Sequence, residues 1–155
     1  MKFIKLGDTN FDNMCQYIQE NFANNHQILS MYQQQNMVKM RIENNIEIGI
    51  VCEIDDRIVG IATAITSNKK NYWGIAVLYV SESQRNRGIG KKLIKELERH
   101  IYESSLSKYK ENISVNETNK EGLALLESME YMREGRIVGL IPDDNIIILG
   151  KINYE

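Results

Sequence analysis

Trp73-Gly74-Ile75-Ala76-Val77-Leu78-Tyr79-Val80 leads into Ser81-Glu82-Ser83-Gln84-Arg85-Asn86-Arg87 and then into Gly88-Ile89-Gly90-Lys91. The first segment is apolar at nearly every position, the pattern of a strand covered on both faces and therefore central in its sheet. From Gly88 the period changes. Ile89, Leu93, Leu97 and Ile101 recur every four residues, while Lys91, Lys92, Lys95, Glu96, Glu98 and Arg99 take the other sides, which predicts an amphipathic helix. A strand-loop-helix junction with glycines leaves backbone N–H groups unpaired at the positive end of the helix, where a phosphate is favoured. Arg85, Arg87 and Lys91 add positive charge at the same place. The alternative is a glycine-containing turn with solvated basic residues.

Upstream of this junction, Glu47 to Ile54 and Arg57 to Ile65 are β-branched runs separated by Asp55-Asp56, the composition of a tight antiparallel hairpin, with Ser67 to Asn71 a polar tip before the central strand. Phe3 to Leu6 reads as a short strand. Asp8, Thr9 or Asn10 is placed to cap a helix over Phe11 to Asn21. Ser30 to Ile42, with Met31, Tyr32, Met37, Val38 and Met40, reads as a second helix, polar around much of its circumference and so expected at the surface. Downstream, Ile113 to Val115 reads as a short strand and Asn119 to Met129 as a helix. Tyr131 to Leu140 and Asn145 to Ile152 read as two strands joined around Pro142-Asp143-Asp144. The order is β-α-α-β-β-β-α-β-α-β-β, and with no internal repeat or linker, residues 1–155 are expected to form one domain.

A chain of 155 residues with 43% apolar content can bury a core without metals or disulfides. A net charge of -2 and a pI near 5.8 provide no broad basic field, so nucleic acid is not the expected partner. Cys15 and Cys52 have neither CxxC nor zinc-ligand spacing and are expected to be free, buried thiols; no metal is expected. The amino terminus turns polar too soon for a signal peptide, and no apolar run reaches the ~18 residues of a spanning helix. These features lead us to expect a cytoplasmic protein without a membrane partner. His26 and His100 sit in polar helical contexts and are expected at the surface.

Spacing separates the phosphate motifs that compete for the junction. A P-loop would need glycine where Arg85 stands and Ser or Thr where Lys92 stands, and the dinucleotide fingerprint would need a third glycine where Leu93 stands. What remains is Arg85-x-x-Gly88-x-Gly90 after a strand ending Leu78-Tyr79-Val80. This pattern resembles the (Gln/Arg)xxGx(Gly/Ala) signature of the GNAT superfamily of N-acetyltransferases. The element order is similar to that family over essentially the whole chain, and Val115 to Tyr131 resembles its second cofactor-contacting region.

The resemblance implies an α+β fold with a mixed, mostly antiparallel sheet flanked by helices, in which the strands around Val80 and Ile113 are parallel neighbours joined by a right-handed crossover. A splay between them would admit a pantetheine arm. It further implies acetyl-coenzyme A as cosubstrate. The backbones of Leu78 and Val80 would hold the pantetheine arm, the N–H groups of Arg85, Asn86, Arg87, Gly88, Ile89, Gly90 and Lys91 the pyrophosphate, and Asn119 the opposite side. The implied reaction is acetyl transfer to a primary amine of a small molecule or to a peptide or protein amino group, and relatives are often homodimers. The family's usual proton-donating tyrosine falls at Leu126, and Glu130-Tyr131 stands where Gly-Phe is usual. The catalytic residues therefore stay open, and an acetyl-CoA-binding module without catalysis is the alternative. Substitutes are Tyr72 or Tyr79 as acid and Glu47 or Glu53 as base. For these tyrosines packing is the commoner role, and for these glutamates a solvent-facing strand position is the commoner explanation. Acidic residues such as Glu43 on the acceptor side would favour a cationic acceptor.

Overall fold

The computed structural model describes residues 1–7, 9–67, 70–105 and 108–153, without the His26 side chain. Its strands are β1 (Lys2–Lys5), β2 (Glu47–Ile54), β3 (Arg57–Thr66), β4 (Tyr72–Val80), β5 (Tyr109–Asn116), β6 (Met132–Ile141) and β7 (Asp144–Asn153). Its helices are α1 (Phe11–Asn21), α2 (His26–Tyr32), α3 (Gln35–Glu43), α4 (Ile89–Ser104) and α5 (Lys120–Ser128). The strands form a seven-stranded sheet in the order β1-β2-β3-β4-β5-β7-β6. Every neighbouring pair is antiparallel except β4 with β5. The expected mixed, mostly antiparallel sheet is what forms.

Local chemistry explains much of this. Asp55 and Asp56 both adopt positive φ (52° and 61°), the geometry of a two-residue hairpin turn that follows the strand twist, and Asp tolerates it better than most residues. On α4, Leu93, Ile94, Leu97 and Ile101 are fully buried, and each such side chain stabilises the fold by about 1.5–3 kcal/mol. They pack with Leu123 and Leu126 of α5 on one face of the sheet. The other face is covered by α1, α2 and α3, through Met14, Ile18, Tyr32 and Val38 against Val51, Ile61 and Val77. Cys15 and Cys52 are free and buried, as expected.

Four expectations need correction. The single helix over Ser30 to Ile42 is two, because the chain extends at Gln34 (φ -91°, ψ 91°), and they are not surface elements throughout, since Tyr32 and Val38 are fully buried. Asn25 starts α2 by accepting from the Ile28 N–H. Strand β5 begins at Tyr109 rather than Ile113, and the buried Glu111 within it hides the alternation of Tyr109, Ile113 and Val115. At α1, Asn10 occupies the cap position but makes no cap bond; its side chain accepts from Gly7 N–H and donates to the Lys5 carbonyl. His100 is half-buried beside Glu103, and burial lowers its pKa. Asp8, another of the cap candidates, and Asn68 and Lys69 of the β3–β4 tip lie outside the described residues. Among the described residues no helix is long and apolar enough to cross a membrane, and no cluster of metal-binding side chains forms.

Candidate active site

The parallel pair at the centre of the sheet separates. Among the described residues, β4 and β5 pair from Tyr72↔Lys110 to Gly74↔Asn112 and no further, although β5 continues to pair with β7 as far as Asn116. From Ile75 to Val80, β4 therefore keeps β3 on one side and a gap on the other. Ser81 N–H donates to the Val59 carbonyl (2.8 Å), which sets the parity of the antiparallel β3–β4 ladder. Leu78 and Val80, opposite Ala62 and Gly60, are out of step with that bond, so their N–H and C=O groups point away from β3 into the gap. The Val80 carbonyl accepts from Arg85 Nε at 2.9 Å. The other outward groups form a short strand edge facing a cleft of about 730 Å³.

At the mouth of the cleft the loop after β4 makes a 3₁₀ turn (Glu82–Gln84) and enters α4 through Gly88, at φ 77° in the left-handed region. Among the described residues no side chain caps α4, and its first helical bond runs from Lys92 N–H to the Gly88 carbonyl. The N–H groups from Gly88 to Lys91 thus lack helical acceptors and carry the positive end of the helix dipole. A side chain at position 90 would press on α5, since a Cβ there would lie 3.1 Å from Leu125 Cδ2. Helix α5 also presents its amino end here, with Asn119 Oδ1 accepting from Gly122 N–H at 3.0 Å.

Of the residues singled out in the sequence, Leu78, Val80, Arg85, Asn86, Gly88, Ile89, Gly90, Lys91 and Asn119 all line this cleft. Arg87 does not; its guanidinium donates to the Gln84 side chain. Arg85 also lies over the Tyr79 ring, 5.4 Å from its centroid. Sequence reasoning missed further lining residues, Phe22, Asn25 and Ile28 of the α1–α2 region and Ser114 and Asn116 of β5. It also missed the Tyr17 hydroxyl, which meets Ser81 Oγ at 2.7 Å and ties α1 to the end of β4. Burial pushes the Tyr17 pKa up to about 12, so this hydroxyl keeps its proton. No local pattern announces these contacts, because they join elements far apart in the chain.

Residues 11–131 match the model of the acetyltransferase (GNAT) family. The chain belongs to this family. GNAT members use acetyl-coenzyme A as cosubstrate. Comparison with curated protein sequences returns no match, whereas solved structures resemble the fold closely. The ribosomal-protein-alanine N-acetyltransferase from Brucella melitensis has 16% identity and a TM-score of 0.78, with 99% of this chain and 100% of that one covered. Aminoglycoside 6'-acetyltransferase type Ii has 18% identity and a TM-score of 0.75, covering 97% and 96%. An N-acetyltransferase from Thermoplasma acidophilum, solved in complex with coenzyme A, has 14% identity and a TM-score of 0.68, covering 96% and 98%. At these identities the likeness is one of fold.

Against the GNAT pattern the catalytic candidates separate. Leu126, at the usual tyrosine position, is fully buried and has no proton to give. Tyr72 is remote, since it pairs with β5 at the closed end of β4 and its hydroxyl donates to Asn112 Oδ1. Tyr79 lines the cleft, wedged between Arg85 and Phe22, whose ring centroid is 5.1 Å away. Glu47 does not face solvent. It is 1% exposed, with Oε2 accepting from the Tyr32 hydroxyl (2.5 Å) and Oε1 from Arg41 Nε (2.9 Å). This carboxylate holds α2 and α3 to the sheet and is unavailable as a base. Glu53 lies on β2 opposite Lys2, outside the cleft lining.

Proposed function

We propose that this chain transfers the acetyl group of acetyl-coenzyme A to a primary amine of a small molecule or to a peptide or protein amino group. The observation that carries the reading is the uncapped amino end of α4 beside the unpaired edge of β4, an anion site and a strand edge meeting in one cleft. The free N–H groups from Gly88 to Lys91, with the Lys91 ammonium, suit a pyrophosphate. The outward backbone groups of Leu78 and Val80 suit an amide-bearing arm that adds to the sheet like a strand. Asn119 and the amino end of α5 bound the same space from the far side. When bound, acetyl-coenzyme A supplies a thioester acetyl group whose C–S bond breaks as a C–N bond forms to the amine, whose proton passes to the thiolate. The chain's part is to align the partners, exclude water, and offer backbone N–H at the end of β4 where negative charge develops.

A thiol of ordinary pKa near ~8.5 leaves without a dedicated acid more easily than an alkoxide would, and the positive end of α4 assists it. A second reading is favoured by Leu126: a module that binds the cosubstrate without turnover. Titration calorimetry with acetyl-coenzyme A, comparing the natural chain with Gly88→Trp, tests the binding. Micromolar affinity lost in the variant, with its circular dichroism unchanged, is the expected result; no binding by the natural chain removes both readings. Thiol release with any amine removes the second.

A further inference from the structure

The acceptor side of the cleft differs in chemistry from the cosubstrate side. The gap between β4 and β5 joins the two faces of the sheet. Leu78 and Val80 pack with the α4–α5 face, whereas Ala76 and Tyr79 pack with the α1–α3 face. If the cosubstrate lies against α4, the second substrate enters by the mouth walled by Phe22, Asn25, Ile28, Ala76 and Tyr79.

That mouth is aromatic, aliphatic and amide. Among the described lining residues the charged ones are Arg85, Lys91 and Glu121, all from the α4 loop, α4 or α5. The carboxylates expected on the acceptor side are committed or elsewhere. Glu47 is buried on Tyr32 and Arg41, and Glu43 lies 4.0 Å from Lys39 on the outside of α3. The Tyr79 ring, which could otherwise receive a cation, already carries the Arg85 guanidinium. Asn25 Oδ1 is engaged at the start of α2. A polycation seated here would surrender the hydration of its additional ammonium groups with Glu121 on α5 as the single described lining carboxylate, set against the two resident cations Arg85 and Lys91.

We propose that the acceptor is a monoamine carried on an apolar or aromatic body, taken up as its free base, and that polyamines and aminoglycosides are excluded. The inference rests on the acetyl-transfer reading for the reaction but concerns recognition at the other mouth. The apolar wall favours the neutral amine over the ammonium, which prepares the nucleophile without a protein carboxylate.

The test is titration calorimetry of phenethylamine, hexylamine, spermidine and kanamycin into the chain saturated with coenzyme A, with thiol release from acetyl-coenzyme A measured separately. Phenethylamine and hexylamine should bind roughly tenfold or more tightly than the two polycations. Ile28→Asp places a carboxylate in the wall at the third position of α2, where an acidic residue suits the helix start, and should move that ratio toward spermidine by about tenfold. The proposal is overturned if spermidine or kanamycin binds the natural chain more tightly, or if a folded Ile28→Asp protein leaves the ratio unchanged. Should Ile28→Asp fail to fold, the four ligands on the natural chain decide. Absence of turnover with every amine would remove the acetyl-transfer reading, while the binding ratio still judges recognition.

Discussion

Two glutamates, one on each face of the sheet, are almost wholly withdrawn from water, and the molecule treats them in opposite ways. Glu47 on β2, beneath α2 and α3, has both oxygens satisfied, by Tyr32 and by Arg41, with the Tyr32 hydroxyl also 3.0 Å from Thr63 Oγ1. Glu111 on β5, on the α4–α5 face, accepts from Asn153 Nδ2 with one oxygen, while the other has no partner among the described residues. Burial, with the Glu98 carboxylate second, pushes the Glu111 pKa up to about 7. Glu98 takes the nearby Lys151 ammonium at 2.9 Å, so the cation that could have neutralised Glu111 is committed next door. The lesson is that a buried carboxylate is structural when its partners come with it and a proton site when they do not.

The contrast can be broken most severely at Glu47. Replacing it by alanine strands Arg41 and the buried Tyr32 hydroxyl, and urea unfolding should register a loss of about 3 kcal/mol or more. At Glu111 the sign depends on pH. Its folded pKa lies above the value of 4.5 for an unperturbed carboxyl. Its favourable share of stability is therefore complete below about pH 4.5, declines as pH rises, and is gone once the pH has passed the folded value near 7. Glu111→Gln should leave stability nearly unchanged at the acid end of that window and raise it by roughly 3 kcal/mol above the window, read as a flattened plot of unfolding free energy against pH. A loss of stability above neutrality would contradict the picture.

Tyr32→Phe sharpens the Glu47 side of the comparison. It removes one donor and leaves the carboxylate half-satisfied, for an expected loss of about 1–3 kcal/mol by the same urea assay. The smallest effect lies beside the Glu111 cluster. Glu130 sits at φ 73° just after α5, a left-handed position, which is where the family commonly carries glycine. Glu130→Gly should relieve about 1 kcal/mol of backbone strain, partly offset by the freer unfolded chain, and raise the melting temperature by a few degrees. The neighbouring Tyr131 stands where phenylalanine is usual. Its hydroxyl, 3.5 Å from Glu98 Oε1, joins the same polar cluster, which accounts for a departure that looked arbitrary in the sequence.

Residues 73–101 were legible because one segment contained its own periods: an unbroken apolar strand, a glycine entry and a four-residue repeat. The Asp55-Asp56 turn was legible for the same reason, since its chemistry is local. The acceptor wall was not, because Phe22, Asn25 and Ile28 acquire their role only by folding against the cleft that opens beside β4, where Phe22 meets Tyr79. Glu47 read as a surface residue because nothing near it in the chain reveals Tyr32 and Arg41 folded over it.

The amino-acid sequence by itself determined where β2, β3, β4 and α4 begin to within a residue, the glycine entry at Gly88, and membership of an acetyltransferase family. Each of these depends on neighbours within a few residues or on a spaced motif. Tertiary structure alone decided that β4 and β5 part after Gly74 and that the Glu47 carboxylate is buried. It also decided that Phe22, Asn25 and Ile28 share the cleft lining with Tyr79. Those outcomes depend on which distant side chains share the same low-dielectric space, a property of packing that no linear pattern carries.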